Sequence, residues 1–446
     1  MSERVVVIGG DPGGMAAASQ IRRRRPEVEV IALERGEWTS YTACGIPYVV
    51  GGIVQGGIER LVARSPEEHR ANGIDVRLGH EATAIDPDGR EVEVTPRDGT
   101  AYRLGYDQLL IATGGSPIRP ELPGIDLPFV HGVQTLDDGG HLLRHAEELA
   151  SGCRRIVVVG SGYIGLEMAE AFVDRGCTAT VVEQAAQPMG TLDPDMGELV
   201  ADAMKTHGLM LRTEVEVTGF EPSRVLTSDG PLDADLVVLG IGVGPNASLA
   251  EEAGLDLGAK GSIRVDDRQE TSSPGVWAAG DCCESRHLVT GEPVYIALGT
   301  YANRQSRVAG INISGGQAIF PGVLGTAISK ICDTEIARTG LGTDEADRAG
   351  LDVVVSRIES TTHAGYYPEA DPMTVKLIVA RGTGRLLGAQ IVGGPGAGKR
   401  IDTCAAAITA GFTVQQVMDL DLAYAPPFSS VWDPVAVAAR EALKLV

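Results

Sequence analysis

Positive charge is scarce in this chain. Lysine and arginine number 38 against 60 aspartates and glutamates, for a formal charge of -22. That balance opposes nonspecific binding to nucleic acid or to an anionic membrane surface. Aromatic residues make up only 4%, so an aliphatic core is expected. No apolar run reaches the ~18 residues of a membrane span. The opening MSERVVVIGG enters a strand-like run at once. No charged region is followed by a long apolar one, so no secretory leader is expected. The seven cysteines are odd in number and scattered. They do not form a disulfide scaffold, and a reducing cytoplasm is the expected setting. The eight histidines show no spacing such as H-E-x-x-H, so no metal site is expected.

Glycine, in contrast, is abundant, with 58 residues in 446 against an average usage of roughly 7%. Its placement carries the first functional signal. In RVVVIGGDPGGMAAASQIRRRRPEVEVIALERG, residues 4 to 8 form a run, apolar after Arg4, fit for a buried parallel strand. A glycine turn, an Ala-rich helix and a second strand ending in Glu34 follow. Gly9, Gly10, Gly13 and Gly14 allow close backbone approach to a pyrophosphate at the helix start. Glu34 lies 20 residues after Gly14, where an acid reaches a ribose hydroxyl in the Rossmann βαβ unit. Residue 11, at the second glycine position of G-x-G-x-x-G, is Asp. A carboxylate facing a pyrophosphate is repulsive, so its side chain is expected to turn outward.

The unit recurs in RRIVVVGSGYIGLEMAEAFVDRGCTATVVEQ, complete with Gly160, Gly162 and Gly165. Glu183 ends its second strand, 18 residues past Gly165. An acid there repels a 2′-phosphate and favours NADH over NADPH. One glycine turn alone is a weak signal, whereas two units in one chain, each with its acid, indicate two dinucleotide sites.

Two further strand ends, YDQLLIATGGSP with Ala112, Thr113 and Gly114, and TSSPGVWAAGDCCE with Gly280 and Asp281, complete the pattern. Asp281 taken alone would also suit a helix cap. Together these stretches resemble the two-dinucleotide-domain flavoprotein disulfide reductases. The resemblance runs through essentially the whole chain. It implies an α/β fold with two Rossmann-like domains, the second inserted in the first, and a C-terminal α+β dimerisation domain. The expected domains are 1–112 and 242–320 for FAD, 113–241 for NAD(P)H, and 321–446 for dimerisation. It further implies FAD on the first unit, with Asp281 bonded to the ribitol, and NADH or NADPH on the second. Arg35, Ser40, Tyr163, Ile164, Gly242 and Ala297 are implied as further cofactor contacts.

Cys44 lies in WTSYTACGIPYVVGG. A redox disulfide of the lipoamide or glutathione reductase kind needs a second cysteine five positions on, where Val49 stands. Their C-terminal His-x-x-x-x-Glu element is also absent. A structural cysteine would sit among periodic apolar neighbours, not Ser40, Tyr41, Thr42 and Gly45. A helix start at this point would lower the thiol pKa. SYTACGIPY resembles the Ser-x-x-x-Cys-Gly-x-Pro-Tyr motif of the single-cysteine subgroup. That subgroup contains coenzyme A disulfide reductases, NAD(P)H persulfide reductases, NADH oxidases and NADH peroxidases. The resemblance implies that Cys44 cycles through a mixed disulfide or a sulfenic acid.

Pro12 occupies the place where the oxidases and peroxidases carry a proton-handling histidine, which disfavours peroxide chemistry. THAGYYPEADPMTVKLI and DLAYAPPFSS resemble the coenzyme A disulfide reductase tyrosine motifs. They imply that Tyr366 or Tyr367, with Tyr424, reaches the cysteine of a partner subunit in a homodimer. The same tyrosines could instead simply pack an interface. Arg22 and Arg23 are the basic candidates for a phosphorylated substrate, or a solvated helix end, and Ser40 is a further substrate candidate. Ala43 and Gln20 stand where the family often has asparagine and arginine, so the thiol partner stays open between coenzyme A, another small disulfide and a persulfide.

The expected activity is FAD-dependent reduction of a small disulfide or persulfide by NAD(P)H. The alternatives are an NADH oxidase, or a flavin-based redox sensor with little turnover. GGPGAGKR, 393–400, approaches a phosphate-binding P-loop but has Arg400 where the magnesium-binding hydroxyl belongs. Cys153, Cys177, Cys332 and Cys404 are expected to be structural, and the Cys282-Cys283 pair to have no catalytic role.

Overall fold

The computed structural model describes residues 3–149 and 154–446. Cys153 lies outside these residues. The apolar run after Arg4 becomes strand β1 (Arg4–Ile8), buried from Val5 onward. Helix α1 (Pro12–Arg24) begins on Pro12, where a missing N–H costs no hydrogen bond. Strand β2 (Glu29–Glu34) returns parallel to β1, with Val6 opposite Ile31 and Ile8 opposite Leu33. Each fully buried Leu or Ile in such strands contributes roughly 1.5–3 kcal/mol.

The sheet containing them has the order Val276–Ala278, Gln108–Ile111, β1, β2, Ile74–Leu78. Its edge strand Val276–Ala278 therefore comes from far along the chain. Between its two parts lies a second five-stranded parallel sheet. Its order is Met210–Arg212, Thr178–Val182, Arg155–Val159, Leu236–Leu239, Val130–His131. The chain leaves the first sheet and returns through two short antiparallel strands, Gly115–Pro117 and Val243–Pro245. Asn246 fastens this crossing: its side-chain amide donates to the Thr113 carbonyl at 2.9 Å and its own carbonyl accepts from Thr113 Oγ1 at 2.6 Å.

A five-stranded antiparallel sheet follows, in the order Ala327–Ile331, Thr334–Gly340, Leu386–Gly393, Pro372–Ala380, Val353–Thr361. Helices Ile401–Ala410 and Pro434–Ala442 supply Ile401, Cys404, Val435 and Ala439 to its core. Lys376 of this sheet is buried and held between Asp193 at 2.8 Å and Asp195 at 2.6 Å. That pair ties the sheet to the second parallel unit.

The P-loop-like stretch is filled by the protein itself. Glu335 accepts from the Gly396 and Gly398 N–H groups at 3.0 and 2.7 Å. Lys399 pairs with Asp402, and Arg400 with Asp433. Among the described residues, no helix is long and apolar enough to cross a membrane.

Candidate active site: two nucleotide cradles and one thiol

Each glycine loop follows the C-terminal end of a central parallel strand and opens a helix, the position at which α/β sheets bind nucleotides. Close approach makes the last glycine of each loop necessary. A Cβ on Gly14 would collide with the Gly9 carbonyl oxygen, and one on Gly165 with the Gly160 carbonyl oxygen.

The two acids then do equivalent things. Glu34 accepts from the Gly10 and Gly36 N–H groups, both at 2.7 Å. Glu183 accepts from the Ser161 N–H at 2.9 Å, the Ser161 hydroxyl at 2.5 Å and the Ala185 N–H at 2.9 Å. Each carboxylate braces its own loop and keeps lone pairs for a ribose hydroxyl.

The first cradle is completed by Ala112, Thr113 and Gly114, by Gly280, whose N–H donates to Gln305 at 2.9 Å, and by Asp281. Burial pushes the Asp281 carboxyl up to about 6. Ser306 Oγ, Tyr295 Oη and Asp11 Oδ1 are buried here without hydrogen-bond partners. Ser306 Oγ lies 3.5 Å from where a Cβ on Gly13 would stand. Unpaired buried polar atoms beside a glycine loop fit an elongated polar ligand such as FAD.

Asp11 corrects the expectation that its side chain turns outward. Asp11 is the N-cap residue of α1, yet its carboxyl makes no cap bond to the helix. It points inward, toward Tyr41. Burial is the main force on it and lifts its pKa to about 8. Tyr41 opposes the rise through its hydroxyl and backbone, while Glu34 and Asp281 add to it.

The loop carrying the cysteine is tied to the first cradle at Gly10. The Gly10 carbonyl accepts from Thr39 Oγ1 at 2.6 Å and from the Ser40 N–H at 2.9 Å. Ser40 has φ 51°, a left-handed conformation held in place by that bond. Its hydroxyl lies 2.8 Å from Nε2 of the buried His69.

Cys44 follows in a single 3-10 turn, Ala43–Gly45, leading into helix α2 (Ile46–Val50). The residue is exposed, and its thiol is free. The expected lowering of its pKa is not met. Removal of water by the surrounding protein raises it, and Glu167 and Asp281 add to the rise. The physical reason is that α2 is only five residues long, so its dipole is weak against the loss of water and two carboxylates.

Glu167 belongs to the helix Tyr163–Asp174 of the second unit, so that helix serves the thiol as well as its own glycine loop. It accepts from Ser329 Oγ at 2.7 Å, and burial raises its pKa. Lys330 pairs with Glu170 at 2.7 Å beside it. Glu170, Lys330, Tyr48 and Glu167 line a cleft over α2. Tyr163 is held near Thr191, with Oγ1 to Oη at 3.5 Å.

The remaining candidates are placed as follows. Tyr366 and Tyr424 meet through their hydroxyls and are 77% and 46% exposed. Tyr367 turns away and stacks on His363 at 5.8 Å. The Arg22 guanidinium is committed to the Pro26 and Val28 carbonyls at 2.5 and 2.8 Å, a helix-end role. Arg23 is exposed beside Gln20, as is Arg35 beyond β2. Ile164 packs within the second unit. The Gly242 carbonyl accepts from Ile118 at the crossing. Ala297 precedes the helix Gly299–Ile313. Cys177, Cys282, Cys283 and Cys404 are buried, and Cys332 is half-buried.

His69, Tyr41, Glu167, Glu170 and Lys330 were not foreseen from sequence. Only the position of Glu167, two residues past Gly165 on the helix that the second glycine loop opens, could have signalled one of them.

Residues 3–305 match the family model described as pyridine nucleotide-disulphide oxidoreductase, and 326–436 match that family's dimerisation domain. A relative from Pyrococcus furiosus, named NAD(P)H sulfur oxidoreductase (CoA-dependent), is 40% identical over 98% of both chains. An NADH oxidase from Methanocaldococcus jannaschii is 37% identical over 99% of both. The structure of an NAD-dependent persulfide reductase from A. fulgidus superposes with a TM-score of 0.95 at 38% identity, covering 99% of this chain and 83% of that one. With the two glycine cradles, their acids and the lone thiol in place, the chain belongs to the pyridine nucleotide-disulphide oxidoreductases and is an FAD-dependent enzyme that uses NAD(P)H.

Proposed function

We propose that the enzyme reduces a small disulfide or persulfide of the coenzyme A type, with Cys44 as its single redox thiol. The observation that carries this reading is the position of Cys44. It is an exposed free thiol on a loop bonded at Gly10 to the first cradle and flanked by Glu167 from the second unit. FAD is assigned to the first cradle and NAD(P)H to the second, with NADH favoured by Glu183. When bound, these cofactors supply the two-electron chemistry.

The chain supplies the rest. The Cys44 thiolate attacks one sulfur of the substrate disulfide, forms a mixed disulfide and releases one thiol. Two electrons and two protons then cleave that bond, releasing the second thiol and restoring Cys44. Glu167 is placed to hold or return a proton near the sulfur, since burial raises its pKa.

Tyr366 and Tyr424 are proposed to act across a homodimer, donating hydrogen bonds to the departing thiolate. Their exposure, with that of Phe428, Val431 and Trp432, supports an interface on the C-terminal domain. Exposed aromatics in such a cluster are the residues that interfaces favour. Ser40 and Arg23 remain the substrate candidates, and a reducing cytoplasm is the proposed setting for the free thiols.

Steady-state turnover of coenzyme A disulfide, other small disulfides and persulfides tests the reading with wild type and Cys44→Ser. The variant is expected to lose disulfide turnover by at least about 10³-fold, while NADH still bleaches the flavin. Full disulfide activity in the variant would contradict it. Oxygen uptake equal to NADH consumption, with no disulfide turnover in the wild type, would favour the oxidase reading that the Methanocaldococcus relative's name suggests.

A further inference from the structure

Asp11 is at odds with its position. An aspartate at a helix N-cap ordinarily turns back to accept a backbone N–H of the first turn. Asp11 has the extended backbone of an N-cap and its carbonyl accepts the Met15 N–H at 3.0 Å, but its side chain makes no cap bond. The first-turn N–H groups are left for a ligand. The carboxyl instead enters the cradle, with Oδ1 buried and unpartnered.

The groups that bear on it are Tyr41 from the cysteine loop, Glu34 from the end of β2 and Asp281 from the strand end beyond Ala278. None is a cation. An ionised carboxylate in that setting would face two like charges and, on the reading that FAD occupies this cradle, a pyrophosphate as well. A carboxylic acid faces the same groups as a donor.

We propose that Asp11 is a positioning residue that enters the FAD cradle as a neutral acid and offers its proton to the pyrophosphate, so that FAD is retained only while Asp11 carries that proton. Asp11 thus substitutes for the second glycine of the usual loop by removing its charge and not its side chain.

The sign of the resulting pH dependence is fixed. Burial pushes the Asp11 carboxyl up to about 8 in the folded protein, from the ordinary aspartate value of 3.8. A raised acid favours the folded, proton-carrying state at low pH, and that contribution is lost as pH rises through about 8. FAD retention therefore weakens above that point. Tyr41, raised by burial and by Asp11 itself, stays neutral across the window.

The test is FAD release from diluted holoenzyme, read as recovered free-flavin fluorescence between pH 6.5 and 9, for wild type, Asp11→Asn and Gly14→Ala. Asp11→Asn keeps a neutral donor. It is expected to match wild type within about twofold at pH 7 and to hold FAD about tenfold more tightly than wild type at pH 9. Identical pH dependence in the two proteins would overturn the proposal. So would a constant loss in Asp11→Asn at every pH, which is the mark of a purely structural role. Gly14→Ala separates the two layers. If it releases FAD while Asp11→Asn tracks wild type, only the proton role of Asp11 fails. If it holds FAD normally, the assignment of FAD to this cradle fails, and the Asp11 proposal with it.

Discussion

The two glycine loops, 9–14 and 160–165, share a backbone plan but differ at one residue. In both, the last glycine packs against the carbonyl of the first, and an acid at the end of the second strand braces the loop through N–H groups. At the second glycine position one loop has Gly162, the N-cap of its helix, and the other has Asp11. The second cradle is open at that point. The first is crowded by a carboxyl that has turned away from its cap. The fold thus tolerates a side chain there when burial and like charges remove its ionisation, which a rule about glycines alone does not convey.

The surroundings differ too. The first cradle shares Gly10 with the cysteine loop through Thr39 and Ser40. The second reaches the same thiol through a helix, at Glu167. Both units therefore converge on Cys44, one through its loop and the other through its helix face.

The largest expected effect breaks the symmetry directly. Gly14→Ala should lose roughly 10- to 100-fold in FAD affinity, and Gly165→Ala the same in NAD(P)H affinity. Each should leave the other nucleotide's binding unchanged. Flavin fluorescence and rapid-mixing flavin reduction distinguish the two. Loss of both nucleotides in either variant would mean that the cradles are not independent.

A smaller effect probes the convergence on the thiol. Glu167 is one of the groups that raise the Cys44 thiol. Glu167→Gln removes a negative charge, so thiolate should form at lower pH. Alkylation of Cys44 by iodoacetamide at pH 7.5 should speed up about threefold, and its pH profile should move to lower pH. An unchanged profile would separate Glu167 from the thiol.

The parts of the fold set by local pattern were legible in the sequence. Apolar runs at 5–8 and 156–159, a glycine turn and a terminal acid specify each βαβ unit almost alone. The missing cysteine at Val49 and the distance of Tyr366 from Tyr424 in the chain were legible as facts, but the meeting of those two hydroxyls was not. Side-chain direction was the main failure. Electrostatic repulsion suggested that Asp11 should avoid the cradle. The competing option, neutralisation by burial, depends on Tyr41, Glu34 and Asp281, which only the folded chain assembles. The Cys44 thiol was misjudged for the same reason. A helix start is visible in sequence, whereas the carboxylates of Glu167 and Asp281, more than 100 residues away, are not. His69 behind Ser40 gave no signal at all, because a single histidine in a surface-like helix carries no period.

The central claim is that Cys44 alone carries the substrate sulfur. Mass spectrometry of the oxidised holoenzyme after incubation with coenzyme A disulfide tests it most directly. The prediction is one coenzyme A adduct, confined to the peptide containing Cys44, absent from Cys44→Ser and released on addition of NADH. An adduct on any other cysteine, or a protein that turns over the disulfide with none on Cys44, would contradict it.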